Sequence, residues 1–518
     1  RARFRPILMT SFAFIAGLIP LVVATGAGAI GNRTIGGSAL GGMLIGTLFG
    51  VLVIPGLYYI FGSMAEGRNL INSDVPDRYQ NQLKDSLNSA SVRWKEFFSD
   101  PQLSALIDTA LIKNQELNIM LQKVEMAKNE IRTRKGEYLP SVNIQAGAEV
   151  EKVGAYTRNG AVEELLEIKE GEEFPEPLSN FMVGAYASWE VDVWKKLRNA
   201  KKAAVFEYLS SIEGKNFMVT NLVSEVASSY YELVALDSQL AIIEENLAIQ
   251  TNALAMVKLQ KTAARATELA VRRFEAEVLK NQSQKFAIQQ KIIETENKIN
   301  FLIGRSPQPI LRNSVGFIDK EVAAINPGIP SQLLQNRPDI RQAEYELAAA
   351  KLDVKVAKAN FYPSFGIKAG VGLEAFKPKF LTSTPQSLLY SAVGDVVAPL
   401  INRNAIKAEY GNANARQIQA VYEYEKAILN AYIEVANQLS SIDNLNKSYE
   451  LKVGQVQALN ESIDISTRLF QSARADYMEV LLTQRDALES SEELVETKKD
   501  QMLAKVSIYR ALGGGWDR

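Results

Sequence analysis

Side chains able to do chemistry are scarce in this sequence. Its 518 residues contain no Cys and no His. That removes disulfides, thiolate and imidazole nucleophiles, and the zinc, haem or iron–sulfur sites built on those ligands. Carboxylate, Ser, Lys and Tyr chemistry stays open, as does oxygen-ligated Ca²⁺ or Mg²⁺. Glu190 and Asp192 can be drawn as a glycosidase pair, but both fall on the polar side of an alternating stretch. The expectation is no enzyme, no cofactor and no metal. Lys+Arg 58 against Asp+Glu 59 leaves a formal charge of -1, so no global field recruits nucleic acid.

Two short strings are better placed. TAARATEL (Thr262–Leu269) and SARADYME (Ser472–Glu479) each set a helix-start signal after small residues. Asp476 and Glu479 form a D-x-x-E capping box, and Thr267 can cap the matching helix. Arg474 can pair with either acid across a helix interface, an exposed contact of ~0–1 kcal/mol. Arg265 is its counterpart. A single helix running through each string is the plainer alternative. Trp189 and Trp194 are candidates for a membrane-interface belt, with burial in a core as the alternative.

These strings interrupt helical runs of unusual length. Lys215 to Ile303 contains neither Gly nor Pro, and Asn412 to Leu512 contains only Gly454. Runs of this kind make coiled coils or long hairpins. Folded at its middle, the first gives two equal arms of ~65 Å at ~1.5 Å per residue. Apolar stripes support helix-on-helix packing: Val219, Leu222, Val223, Val226 and Tyr230 in one run, Ile428, Tyr432, Val435, Leu439 and Ile442 in the other. The Lys/Glu alternation from Lys280 to Lys298 reads as a solvated face. Pro338 fits the first turn of a helix entered through Asn336 or Arg337, with Asp339 favouring the dipole.

Before each run the hydrophobic period changes to two. Val142, Ile144, Ala146, Ala148 and Val150 alternate with polar neighbours, as do Phe365, Ile367, Ala369, Val371 and Leu373. Phe181, Val183, Ala185, Ala187, Trp189 and Val191 share the face of a returning strand, and a fourth, weakly patterned strand lies near Tyr390 to Ala398. An acidic loop, Glu163 to Glu176, and a Pro-containing loop, Lys377 to Gln386, separate the members of each pair. Such strands suit a membrane β-barrel or a soluble sandwich. In lipid, four strands cannot close, so a barrel would be shared: two chains give eight strands, three give twelve, and only the larger leaves an open lumen.

The chain is a repeat. LPSVNIQAG (Leu139–Gly147) recurs as YPSFGIKAG (Tyr362–Gly370), 223 residues on. A second echo runs at 209: Arg265-Ala266 with Arg474-Ala475, Val271 with Val480, Leu279 with Leu488, Ile299 with Ile508, Gly304 with Gly513.

Ahead of the repeat, Ile7–Val23 and Leu40–Phe61 are uncharged apolar runs of membrane-spanning length. Arg1, Arg3 and Arg5 hold that end cytoplasmic. A signal peptide followed by an unrelated apolar stretch is the alternative. RPILMTSFAFIAGLIPLVVATGAGA (Arg5–Ala29) and GGSALGGMLIGTLFGVLVIPGLYYIFG (Gly36–Gly62) resemble the last two membrane helices of a resistance-nodulation-division (RND) efflux transporter. In that family the proton-relay residues lie on earlier helices, which are not in this sequence.

Residues 74–518 resemble the TolC/OprM-type outer-membrane efflux family through VPDRYQ (Val75–Gln80), WKEFFSDPQLSALIDTAL (Trp94–Leu111), SWEVDVW (Ser188–Trp194), NRPDIRQAE (Asn336–Glu344) and LFQSARADYMEVLLTQRDALE (Leu469–Glu489). The resemblance implies a mainly α protein with a small β part. It implies a homotrimer with a twelve-stranded outer-membrane β-barrel, four strands per chain, continued by a long α-helical periplasmic barrel, two structural repeats per chain and two extra N-terminal membrane helices. Partners implied are a periplasmic adaptor at the helix tips, an inner-membrane RND transporter that supplies the energy, and the lipid bilayer. The N-terminal helices would lie in the inner membrane or be removed.

The expected organisation is residues 1–62, two transmembrane helices; 63–93, a linker; 94–306, repeat 1, with strands near 141–151 and 181–192 and a hairpin near 195–304 turning at 262–267; 307–330, a connector; and 331–518, repeat 2, with strands near 364–374 and 389–399 and a hairpin near 404–512 turning at 472–476. Three departures from the family stand out. No lipidated Cys is present, Lys195 replaces a frequent Gly, and the tip positions of the family's acid ring hold Glu479 and Leu482. Three Glu479 around an axis would favour cations; the alternative is that Glu479 only caps its helix. The function implied is a passive multidrug exit duct. The alternatives are the C-terminal part of an RND transporter fused to its channel, energised when complete, and a soluble coiled-coil scaffold.

Overall fold

The computed structural model describes residues 92–320, 325–401, 403–472 and 474–516, with isolated positions at 19, 22, 23, 76, 79 and 89. It divides into two units, Arg1–Asp74 and Val75–Arg518. The expected helices of residues 1–62 fall outside the described residues apart from three single positions, and most of the 63–93 linker does too. Among the described residues no helix is long and apolar enough to cross a membrane.

The second unit is mainly helical. Repeat 1 runs α1 (Trp94–Phe97), α2 (Pro101–Lys113), α3 (Gln115–Tyr138), β1 (Ser141–Glu151), α4 (Arg158–Glu163), β2 (Glu167–Lys169), β3 (Glu172–Glu173), β4 (Leu178–Val191), α5 (Lys196–Thr262) and α6 (Glu268–Leu302). Repeat 2 runs α7 (Leu333–Asn336), α8 (Pro338–Ala359), β5 (Ser364–Ala375), β6 (Leu388–Val397), α9 (Asn404–Gln471) and α10 (Tyr477–Ala511).

The hairpin arms are unequal, as bounds of 195–304 turning at 262–267 already imply, and the equal ~65 Å arms taken from folding the Gly-free run at its middle are corrected. Helices α5 and α9 have 67 and 68 residues, roughly 100 Å each, whereas the returning α6 and α10 have 35, about 52 Å. Absence of Gly is a poor ruler because Gly214 lies inside α5. A Cβ there would come within 2.9 Å of Met120 Cε and 3.1 Å of Gln342 Oε1, so the glycine lets α3 and α8 pack close. Each long helix is matched by two short ones stacked end to end, α3 over α6 and α8 over α10.

The stacking joint is the same in both repeats. Asn114 Nδ2 donates to the Leu302 carbonyl at 2.8 Å, and Arg337 Nη1 to the Ala511 carbonyl at 2.8 Å. Each recruits the end of a returning helix, whose last carbonyls lack helical partners. Gly304 (φ 67) and Gly513 (φ 88) end those helices left-handed, and a Cβ would sit 2.5 Å from the Lys113 carbonyl oxygen or 2.6 Å from that of Asn336. Pro338 occupies the first turn of α8, entered through Arg337, whose side chain makes no cap. Its guanidinium binds Asp339 at 2.7 Å and Glu434 at 2.8 Å instead.

The four long strands form one antiparallel sheet, ordered β1–β4–β5–β6. Register pairs Asn143 with Tyr186, Ser188 with Lys368, and Gly366 with both Glu190 and Asp395, so polar residues share one face and Val142, Ile144 and Val371 lie exposed on the other. Within the sheet, β1 and β6 each pair along one edge only. The acidic loop is not structureless: it follows directly on α4 and holds the β2–β3 hairpin, and Lys377 reaches Glu172 at 3.4 Å. The lateral order of helices follows the sheet. Helices α3 and α6 flank α5 on the β1 side, α8 and α10 sit between α5 and α9, and α9 lies on the β6 side.

Candidate functional site

Both hairpin turns lie together at one end of the second unit's helices and close in the same way. After α5 the chain takes a left-handed residue at Ala264 (φ 57), and the Arg265 amide bonds back to the Gln260 carbonyl at 2.8 Å, satisfying an orphan group at the helix end. In repeat 2 the Arg474 amide bonds to the Leu469 carbonyl at 2.8 Å. The next helix starts differently in the two repeats. Thr267 Oγ1 accepts from the Ala270 amide at 3.2 Å. Asp476 holds the same position but its carboxylate makes no cap. The capping box is thus corrected: the Glu479 amide bonds to the Asp476 carbonyl oxygen at 3.1 Å, and the exposed carboxylate is left to water.

Glu479 and Leu482 lie one turn apart on the exposed side of α10. Among the described residues Arg265 and Arg474 make no ion pair, so the expected Arg474 contact with Asp476 or Glu479 is absent in the single chain. Behind them is an apolar knot of Val257, Ala270, Val271 and Phe274, against which Leu254 of repeat 1 and Phe470, Tyr477 and Leu481 of repeat 2 pack.

Sequence reasoning missed a charged chain on the tip of repeat 1. Lys261 pairs with Glu268, Glu268 with Arg272 at 2.9 Å, and Arg272 with Glu275 at 2.9 Å. The hydrogen bond from Lys261 holds the Glu268 carboxyl below the usual carboxylate range. Applying the 209 offset to these residues would have exposed it, because their counterparts are Phe470, Tyr477, Leu481 and Gln484. Three of those four are the residues packed on the apolar knot.

The other candidates lie at the opposite end of α5, where the sheet meets the helices. Trp189 Nε1 donates to the Tyr138 carbonyl at 3.1 Å. Trp194 Nε1 donates to the Pro363 carbonyl at 2.7 Å, and its ring stacks on Tyr362 at 4.8 Å. Asp192 accepts from the amides of Leu197 and Arg198, both at 3.0 Å, capping α5, and Glu190 binds Lys196 at 2.5 Å. Neither acid faces the other as a catalytic pair would. Lys195 is left-handed, at φ 60, the conformation that explains why a Gly is at home in this position. Among the described residues no group of three or more acids is disposed to hold a metal ion.

The profile of the outer membrane efflux protein family matches residues 106–305 and 329–514, one segment in each repeat. The chain belongs to this family. A second profile, that of the AcrB/AcrD/AcrF family, matches residues 1–62. The pyoverdine export outer membrane protein OpmQ of Pseudomonas aeruginosa is 28% identical over 427 residues, 82% of this chain and 87% of that protein. The cation efflux system protein CusC of Escherichia coli K12 is 27% identical over 450 residues, 85% and 93% of the two chains. A crystal structure of CusC superposes with a TM-score of 0.75 at 25% identity, covering 85% of this chain and 97% of that one. The open-state MtrE channel of Neisseria gonorrhoeae gives a TM-score of 0.76 at 22% identity over 86% and 97%, which shows the shared fold.

Proposed function

We propose that the chain is the outer-membrane exit duct of a tripartite efflux system and works as a homotrimer. One observation carries the assembly. On α6, Leu279, Phe286 and Ile293 recur at heptad spacing and are 60, 69 and 51% exposed. Their counterparts on α10 at the 209 offset, Leu488, Val495 and Met502, are 7, 0 and 3% exposed, because α10 packs against α5. The same stripe is buried inside the chain in one repeat and bare in the other. A neighbour's α9 would cover it as α5 covers α10, and that α9 is bare at the matching height, where Lys452 reaches Glu493 on its own α10 and the apolar Leu451 and Val453 are exposed. The same join pairs the free edge of β1 with a neighbour's β6, as lipid demands of a spanning sheet. With three copies, the sheet closes at twelve strands and keeps a lumen.

The sheet then lies in the outer membrane with Trp189 and Trp194 at its inner interface, and the helices cross the periplasm. A periplasmic adaptor docks on the hairpin tips, and an inner-membrane RND transporter supplies the energy, since a duct catalyses nothing. Relatives named for pyoverdine, solvent and cation efflux suit a wide, unselective pipe whose multidrug or toxic-compound cargo is chosen upstream. Glu479 and Leu482 form the constriction, a ring of three carboxylates favouring cations; Asp476 and Arg474 with Thr267 and Arg265 shape the turns around it. The test is single-channel recording of the full chain in planar bilayers. Cation-preferring conductance, with the preference reduced in Glu479→Ala, is expected; no conductance in either would refute the duct. The AcrB/AcrD/AcrF match over residues 1–62 favours a second reading, in which the chain is the C-terminal part of an RND transporter fused to its channel and energised when complete.

A further inference from the structure

The last turns of α3 and α8 and the first turns of α5 and α9 meet the sheet, and the two faces of this helix layer differ in charge. One face holds a cavity of about 610 Å³, lined by Arg134, Glu207, Asp353, Glu409 and Arg416 with alanines between them. Lys196 leads the row Ala200, Ala203 and Glu207 along this face of α5, and it reaches Glu190, on the polar side of the sheet, at 2.5 Å. At ~3.6 residues per turn, the opposite face carries Lys202 on α5, Lys351, Lys355 and Lys358 on α8, Lys407 on α9 and Arg132 on α3, all exposed. The ion pairs of these turns belong to other residues, Arg134 with Glu130 and Glu137, Lys196 with Glu190 and Arg198 with Asp192. The six cations have none among the described residues, and the acids Glu207, Asp353 and Glu409 line the cavity on the other side. The basic face continues the apolar side of the sheet. Next to it Arg198 lies over the Tyr138 ring at 5.9 Å, the Tyr138 carbonyl accepts from Trp189, and Trp189 pairs with Ile367 on the apolar side.

We propose that this basic face binds the headgroups of anionic phospholipids, phosphatidylglycerol being the simplest, in the leaflet from which the helices emerge. The inference rests on the outer-membrane duct reading. Apolar strands, a tier of aromatic rings and then unpaired cations follow one another on one side of the chain, and the cations of α8 span about 10 Å of helix. The rings set the depth of the sheet in the bilayer. Lysine stems lie along the helices and lift their amines to the phosphate level. A cation held there favours an anionic surface roughly fivefold, and the attraction fades beyond a Debye length of about 8 Å, so only cations next to the sheet count. Lysine acts as a point charge without a fixed fork, so the face selects a class of headgroup. Free phosphate meets the same amines but has no acyl chains to lie on the neighbouring apolar strands.

The full chain, purified in a neutral detergent, is offered phosphatidylglycerol, phosphatidylcholine or inorganic phosphate, and bound lipid is counted by native mass spectrometry at low and high salt. Lys202→Gln, Lys355→Gln and Lys358→Gln together remove three exposed charges from the face. Lys258→Gln, Lys291→Gln and Lys426→Gln remove as many exposed charges elsewhere and serve as the control. The parent and the control should take phosphatidylglycerol over phosphatidylcholine by at least about tenfold, a preference that shrinks at high salt. The collar variant should take the two lipids within about twofold of each other while melting like the control. Equal binding of the two lipids by the parent would overturn the proposal and leave the face to an acidic protein. A collar variant that keeps the preference would overturn it too, as would inorganic phosphate that displaces phosphatidylglycerol at equal concentration, the mark of a free-anion site. Conductance in planar bilayers is recorded on the same chains. A parent that conducts without lipid preference refutes this proposal alone, whereas one that neither inserts nor conducts refutes the duct reading and the proposal with it.

Discussion

Truncating Phe286 separates assembly from folding. Its ring is 69% exposed in the single chain, so the folded chain gains little from it. If a neighbour's α9 covers it as α5 covers Val495, Phe286→Ala removes roughly 100 Å² of apolar burial per seam, or about 2–3 kcal/mol at ~25 cal/mol per Å². A ring has three such seams, so the loss reaches about 6–9 kcal/mol per trimer, enough to change the oligomer outright. The assay is heat dissociation of the detergent-solubilised trimer, alongside the helical melting of the dissociated chain. The expected outcome is a trimer that dissociates well below the parent while the chain melts within about 0.5 kcal/mol of it. The matched control is Val495→Ala, at the buried counterpart, which should weaken the chain itself by about 2 kcal/mol. A Phe286→Ala trimer as heat-resistant as the parent would refute the assignment of this stripe to an interface. So would a chain that melts early, since it would place Phe286 in the chain's own core.

Two further outcomes follow from the geometry. Gly304→Ala forces a Cβ into left-handed backbone 2.5 Å from the Lys113 carbonyl oxygen, and should destabilise the chain by about 2–4 kcal/mol, measured by urea unfolding; Gly513→Ala should cost a similar amount if the two joints are equivalent. Burial raises the pKa of Glu492, which accepts from Gln284 at 2.8 Å. A raised carboxyl favours the folded state while protonated, and that contribution is lost as pH rises through the folded pKa. Glu492→Gln should therefore gain stability over the parent at neutral pH and match it in acid, a difference readable in melting curves at the two pH values.

Much of this architecture can be read from local signals. A change of period from 3.6 to 2 is a strong signal, and the strands β1, β4 and β5 lie where Val142, Phe181 and Phe365 begin to alternate. Strand β6 was fainter because Val393, Val397 and Leu389 put apolar residues on the face where Asp395 and Ser391 are polar, which blurs the alternation. The length of the first arm escapes a Gly-free ruler for a different reason: Gly214 breaks a composition rule but not the helix, because tertiary packing on Met120 and Gln342 overrides its propensity. At the tips the Thr267 cap was legible as an N-cap side chain before an apolar run. The Asp476 cap was legible for the same reason and absent, since an exposed carboxylate gains little from a backbone amide that already has a partner. The Lys261–Glu268–Arg272–Glu275 chain was invisible to motif reading, because helix-spaced charges occur on any solvated helix.

That chain becomes informative only beside its twin, because a duplicated sequence carries its own control. Where the two copies keep the same residue type, as at Gly304 and Gly513 or Leu279 and Leu488, the positions face the same physical demand in either half. Where they part, the demand differs. A ring of identical chains with two hairpins each makes unlike neighbours of its two seams, so one copy is free to become apolar where the other stays charged. Glu268 against Tyr477 and Arg272 against Leu481 are such divergences, and they sit at the hairpin turns, where Tyr477 and Leu481 pack on the apolar knot and Glu268 and Arg272 pair with each other. The stripe of Leu279, Phe286 and Ile293 follows the same logic from the other side: its type is kept in both copies, but α5 covers it only in repeat 2, so under the trimeric reading its cover in repeat 1 must come from another copy.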